Sequence, residues 1–230
     1  MKKIIALLLS LCSFVLVFFA VACNEKPNGD NNDVPPVIKP EEPKIEKSGN
    51  IVVIGDSLMD FWDNGETFLS DYFDTASNKA ILATHVYDWF SADRNYSKIL
   101  ESNPTDVLIG LGINDIKANG DITLCTDYLK NLFVNLKKDN PDLTIHYVSV
   151  NKCYVADFWV NGIEQWNDIM QTYCNENGHY FIDTQDAFLA DDGGYDLSLF
   201  IEDKLHFSSA GYAVLESVFE EHFNSYKSAE

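Results

Sequence analysis

Positive charge is scarce in this chain of 230 residues: 16 lysines and arginines face 36 aspartates and glutamates, for a formal net charge of −20 at pH 7. A surface of that sign repels nucleic acid, anionic lipid headgroups and polyanionic wall polymers, which excludes those partners and favours neutral substrates. Cysteine is scarce as well. Of the five, Cys12 lies in an N-terminal apolar run and Cys23 at its end, leaving Cys125, Cys153 and Cys174. That odd number has none of the spacings of a disulfide framework or a zinc site, and whether any two pair stays open. Glycine-rich nucleotide loops are missing too. Nothing of the form G-x-G-x-x-G follows Gly55, and no glycine occurs between Gly65 and Gly110, so no dinucleotide fold, metal or cofactor is expected.

The long hydrophobic run, Ile4 to Ala22, follows Lys2 and Lys3 and ends at Cys23. This is the pattern of an export signal, which takes no part in the fold. The residues "AVAC" at 20–23 resemble the lipobox of bacterial lipoproteins, with Ala20 where leucine is usual. The resemblance implies cleavage before Cys23, lipidation of that cysteine and a membrane anchor through the lipid. An uncleaved anchor or simple secretion are the alternatives, and all three place the remaining chain outside the cytoplasm. Residues 24–50 are rich in proline, asparagine and charge and have no apolar periodicity, so they read as an extended tether. The expected organisation is a signal peptide over 1–22, a lipidated Cys23 with its tether over 23–50, and one domain over 51–226.

Within that domain, apolar runs recur at "IVVIG" (51–55), "TDVLIGLG" (105–112), "LTIHYVSV" (143–150) and "HYFIDT" (179–184), with a weaker one near "KAILA" (79–83). Helix-like segments lie between them near 57–73, 86–101, 122–138, 161–177 and 208–226. Continuous apolar strands alternating with helices predict an α/β fold of three layers, a five-stranded parallel sheet of the flavodoxin-like order 2-1-3-4-5. Ligands in such sheets sit beyond the carboxyl ends of the strands.

Ser57 stands there, immediately after the first strand in "IVVIGDSLMDFW". A serine at a strand-to-helix turn can simply cap the helix, or it can attack a substrate. Acyl transfer by serine also needs a base, a group to orient that base, and donors for the developing oxyanion. After the third run, "GLGIND" places Asn114 and Asp115 at the same end of the sheet, as a turn or as an oxyanion donor. In "DKLHFSSAGY", Asp203 and His206 are three residues apart, so one tight turn brings the carboxylate to a ring nitrogen. The nucleophile elbow of α/β-hydrolases is excluded, because it wants glycine two residues after the serine and this chain has Met59.

Together, "GDSL" at 55–58, "GIND" at 112–115 and "DKLH" at 203–206 resemble the SGNH or GDSL hydrolase family, and the resemblance spans essentially all of 51–226. It implies an esterase in which Ser57 is the nucleophile, His206 the general base and acid, and Asp203 the orienting carboxylate. The oxyanion donors would be the Ser57 N–H, the Asn114 side chain and a backbone N–H after the second strand. The family's glycine at that last place is replaced by Ala83. Its N–H still serves if φ is negative, with an added methyl against the acyl site.

The ester is less well specified. An exported, tethered, acidic enzyme suits neutral, short-chain O-acyl groups, carried by a small molecule or a glycan. Of the four tryptophans, Trp62, Trp89 and Trp166 read as core, while Trp159 in "VADFWVNG" is the substrate-contact candidate, in a loop after the fourth strand. A lysophospholipase or general carboxylesterase is the alternative, and a carbohydrate-binding lipoprotein without turnover is the alternative of another class.

Overall fold

The structure is a computed structural model that describes residues 46–90, 95–118, 120–153 and 157–229. The export signal, Cys23 and the tether up to residue 45 lie outside the described residues. Among those described, no helix is long and apolar enough to cross a membrane.

Five strands, β1 (Asn50–Gly55), β2 (Thr75–Asn78), β3 (Asp106–Gly110), β4 (Thr144–Val148) and β5 (Tyr180–Ile182), form one parallel sheet in the order β2-β1-β3-β4-β5. The helices are α1 (Ser57–Asp60), α2 (Gly65–Leu69), α3 (Val86–Phe90), α4 (Tyr96–Leu100), α5 (Ile113–Lys117), α6 (Ile122–Asp139), α7 (Asp157–Asn177) and α8 (Ser209–Lys227). They flank the sheet in the expected three-layer α/β/α arrangement. Ile51 to Ile54 of β1 and Val107 to Ile109 of β3 are fully buried, as continuous apolar strands in a two-sided parallel sheet must be. Trp62, Trp89 and Trp166 are core residues, each with its indole N–H satisfied, by Glu216, Thr84 and Tyr147 respectively. Cys125, Cys153 and Cys174 carry free thiols.

Two local expectations need correction. The second strand is not at 79–83 but upstream, at the polar "TASN" of 75–78, paired with Asn50 to Val53. As an edge strand it needs only half-buried residues, so hydrophobicity does not mark it. The apolar "KAILA" instead leaves the sheet edge, with Lys79 and Ile81 still donating backbone hydrogen bonds to Val53 and Gly55. The expected single helix over 57–73 is divided into α1 and α2. Gly65 packs so closely on the Trp62 indole that a Cβ there would come within 2.7 Å of the ring, so the chain turns at this point rather than continuing.

The turn from β1 into α1 positions the site. Asp56 is its N-cap, accepting the Leu58 N–H at 3.0 Å, and its own N–H donates to Gly110 O on the neighbouring strand at 3.3 Å. The Asp56 carboxyl is almost completely buried. That burial pushes its pKa up to about 7, opposed by the Leu58 N–H and reinforced by the nearby Asp115. An unfolded-state aspartate ionises near 3.8. Between that pH and about 7 the folded state therefore holds a proton that the unfolded state has lost, and stability falls as pH rises through this window. At ~1.4 kcal/mol per pKa unit the loss amounts to a few kcal/mol. Asp56→Asn keeps an oxygen for the Leu58 N–H and removes the titration. Thermal unfolding at pH 5 and pH 8 should show the variant gaining on the wild type at the higher pH; identical pH dependence of the two proteins would contradict this reading of Asp56.

Candidate active site

Three segments meet beyond the carboxyl ends of β1 and β3. The first is the β1–α1 turn, which carries Ser57. Its Oγ lies 2.9 Å from His206 Nε2 across 149 residues of sequence. The second is the loop that carries His206, tied by backbone bonds from Ile201 N–H to His206 O and from Lys204 N–H to Ile201 O. Lys204, at φ 58°, completes the reversal. Asp203 Oδ2 lies 2.6 Å from His206 Nδ1, and Asp203 Oδ1 accepts the backbone N–H groups of Leu205 and His206 at 3.0 Å each. The carboxylate is thus oriented by its own turn before it touches the imidazole. Burial acts to raise the Asp203 pKa, but the hydrogen bonds from His206 and Leu205 outweigh it and hold the carboxyl below its ordinary value.

Just past His206 the chain enters α8. Ser208 is the N-cap, accepting the Gly211 N–H, while its own N–H donates to Leu199 O. A Cβ on Gly211 would fall 2.1 Å from that same carbonyl, so only glycine lets the helix begin this close to the loop. The rings of Phe188, Phe200 and Phe207 pack beneath, with centroids 4.7–5.8 Å apart. Within the run "LHFSSAGY", the Leu205 N–H, Phe207, Ser208 and Gly211 thus form the fixture that holds His206.

The third segment is the loop after β2. Thr84 Oγ1 has Ile81 O at 2.9 Å and Gly55 O at 3.1 Å as acceptors for its one proton and accepts the Trp89 indole N–H at 3.0 Å, and Thr84 O accepts from Asn114 Nδ2 at 3.0 Å. Asn114, in the first turn of α5, therefore spends one amide N–H on fixing this loop and keeps the other. Among the described residues, neither the Ser57 N–H nor the Ala83 N–H has an acceptor. The expected donors, Ser57, Ala83 and Asn114, are thus all unspent in whole or part, in segments bonded to one another. Ala83 itself is not as expected: its φ is +60°, in the left-handed region rather than the negative one. That conformation stands beside the Thr84 bonds on its C-terminal side.

Two residues escaped the sequence reading. Thr84 is the staple of the loop after β2, a tertiary role with no sequence signal. Phe61, the C-cap of α1, lies against His206 with ring centroids 5.2 Å apart and planes tilted by 48°; its place four residues after Ser57 was the signal available. For Trp159, the substrate-contact candidate, it is the expected loop placement that differs. It stands in the first turn of α7 rather than in a loop, half-buried against the core with Lys117 Nζ 5.9 Å from the ring.

A second Asp–His pair exists, Asp106 Oδ1 to His146 Nε2 at 3.0 Å, but His146 Nδ1 is taken by His222 at 2.9 Å and both members of the pair are sealed in the core. Of the two pairs, the one at His206 has a hydroxyl, that of Ser57, on the imidazole's far nitrogen. Among the described residues no group of three His, Cys, Asp or Glu side chains is arranged to hold a metal ion. The site has the parts of a serine acyl-transfer centre: a nucleophile hydrogen-bonded to a base, the base to an orienter, and amide donors alongside.

An alanine held in the left-handed region is strained by about 1 kcal/mol, against which glycine's greater freedom in the unfolded chain must be set. Ala83→Gly should accordingly stabilise the protein by up to about 1 kcal/mol in denaturant unfolding; a clear loss of stability would contradict the strained conformation.

Comparison with known proteins agrees with this geometry. The model of the GDSL-like lipase/acylhydrolase family matches residues 53–214. A search of curated proteins finds no match. Among solved structures, a GDSL-like lipase from Bacteroides thetaiotaomicron is similar at 15% identity and a TM-score of 0.64, over 76% of this chain and 88% of that one. A catalytic mutant of an acetylxylan esterase from Geobacillus stearothermophilus is similar at 19% identity and a TM-score of 0.62, over 78% and 96%. At such identities the likeness speaks for the fold, and the family match extends it to the chemistry. The chain belongs to the GDSL-like lipase/acylhydrolase family and is an ester-hydrolysing enzyme.

Proposed function

We propose that this enzyme removes short-chain, acetyl-type O-acyl groups from neutral substrates, glycans in particular, outside the cytoplasm, through an acyl-enzyme on Ser57. The observation that carries the mechanism is the unbroken hydrogen-bonded chain Ser57–His206–Asp203. In it, His206 Nε2 takes the hydroxyl proton as Ser57 Oγ attacks the ester carbonyl. Asp203 holds the tautomer with the proton on Nδ1 and stabilises the imidazolium that forms. Negative charge developing on the carbonyl oxygen is met by the Ser57 N–H and the second Asn114 amide hydrogen; the Ala83 N–H is unspent, but the positive φ of that residue departs from the condition set for it as a donor, so no share of the stabilisation is assigned to it. Collapse expels the alcohol, which receives the proton from His206. A water, deprotonated by His206, then attacks the acyl-enzyme, and Ser57 recovers its proton as the acid leaves.

The substrate reading rests on composition and on likeness. Strong negative charge disfavours polyanions, and one protein of similar fold is named as an acetylxylan esterase. The extracytoplasmic location rests on the N-terminal sequence alone: "AVAC" and the apolar run before it support export as a lipoprotein anchored through Cys23.

Ser57→Ala should lower kcat for p-nitrophenyl acetate by ~10⁴-fold or more with the melting temperature little changed, His206→Ala nearly as much, and Asp203→Ala less. Residual turnover by Ser57→Ala near the wild-type rate would overturn the mechanism.

A further inference from the structure

The alcohol leaving group must depart beside His206 Nε2, since that nitrogen supplies its proton. Whatever lines the surface next to the His206 ring therefore meets the alcohol portion of the ester. That neighbour is Phe61, a residue 42% exposed whose ring lies against that of His206. The same Phe61 lines a groove of about 230 Å³, together with Asp63 and Asn64 from the chain after Ser57 and Ser209, Tyr212 and Ala213 from the helix after His206. The groove thus lies between the two segments that carry the nucleophile and the base. Tyr212 ties it to the catalytic turn directly, donating its hydroxyl to Leu58 O at 3.0 Å.

Its floor is fixed. Glu216 accepts from the Trp62 indole N–H at 3.0 Å and from Asn64 Nδ2 at 3.2 Å, so Asn64 is held in place with one amide hydrogen to spare. The walls are acidic. Burial and the negative charges of Asp63, Asp56 and Asp60 together raise the Tyr212 hydroxyl above its ordinary pKa, and among the described residues Asp63 has no cationic partner. Carboxylate, amide and hydroxyl groups around one aromatic face suit a ring that carries hydroxyls on its edge and C–H groups on its face. They do not suit an alkyl chain, which leaves carboxylates without partners, or a phosphate headgroup, which they repel.

Resting on the glycan-ester reading above, we infer that the Phe61 groove is the leaving-group subsite, and that it selects neutral, hydroxyl-rich alcohols such as a sugar unit of an oligosaccharide. Phe61 acts as its threshold and Ala213 as the small residue that leaves it open.

The test compares kcat/KM for acetylated xylo-oligosaccharide and for p-nitrophenyl acetate, whose leaving group is small, flat and without a polyol edge. Phe61→Ala removes the threshold. Ala213→Trp fills the groove from the exposed face of α8, away from His206, and covers the case in which Phe61→Ala disturbs the base. Both variants should lower the glycan-to-aryl ratio at least tenfold. Deacetylated xylo-oligosaccharide should inhibit aryl-ester hydrolysis by the wild type and fail to inhibit Ala213→Trp. A wild type that deacetylates the glycan while both variants keep its ratio would overturn the groove assignment alone. A wild type active on p-nitrophenyl acetate, inactive on the glycan and not inhibited by the deacetylated product would overturn the substrate reading and the subsite with it.

Discussion

The parallel, in-register pairing of β1 with β3 is the constraint on which the rest of the molecule depends. Ile51 to Gly55 lie directly beside Asp106 to Gly110, so both strands end at the same level. Ser57 follows one by two residues and Asn114 follows the other by four. The Asp56 N–H continues the pairing by donating to Gly110 O, and the loop after β2 is then pinned to Gly55 O by Ile81 and Thr84. A slip by one residue would turn the buried faces of these strands over and separate the serine from its amide donors in one step.

Against that fixed edge, His206 is brought from the far end of the chain by a device of its own. The turn at Asp203–Lys204, the aromatic packing of Phe188, Phe200 and Phe207, and the abrupt start of α8 at Ser208 and Gly211 form one rigid unit. The orienting carboxylate is bonded to the backbone of the residue it orients, so imidazole and carboxylate move together. Rigid placement of this kind is what an acyl-transfer site requires, because its donors must be in position before charge develops. The same placement sets the surroundings: the residues just after Ser57 and just after His206 have nowhere to go but alongside one another, and the groove beside Phe61 is the space left between them.

Much of this was legible in the sequence because the features concerned are local. Continuous apolar runs marked β1, β3 and β4 because those interior strands are covered on both faces, and β5, the other edge strand, was marked by its aromatic and β-branched residues although Tyr180 is exposed. The Asp203–His206 spacing fixes its own turn, and Ser57, Asn114 and His206 are marked by short motifs at strand or helix ends. What escaped is set by tertiary bonds. Edge strand β2 is polar, with Ala76, Ser77 and Asn78 only half-buried and Thr75 exposed, while the apolar residues 79–83 that mimic a strand form a loop. The positive φ of Ala83 stands beside Thr84, which is bonded to Gly55 and Asn114, both distant in the chain, and to Trp89 five residues on. Trp159 was expected in a loop because α7 begins earlier than the apolar pattern marks. Asp106–His146 shows the converse: an aspartate and a histidine in contact form a relay only when the second nitrogen meets a nucleophile, and here it meets His222 in the core.

The central claim is that the hydrogen bond from Ser57 to His206 makes that one serine nucleophilic. Several other serines lie nearby, including Ser149, Ser208 and Ser209, and none has an imidazole on its hydroxyl among the described residues. The most direct test is to label the protein with a fluorophosphonate and locate the adduct by peptide mass spectrometry, in the wild type and in His206→Ala. The account predicts one adduct, on Ser57, formed rapidly in the wild type and slowed at least a hundredfold in His206→Ala. An adduct on another residue, or equal labelling of Ser57 in both proteins, would contradict it.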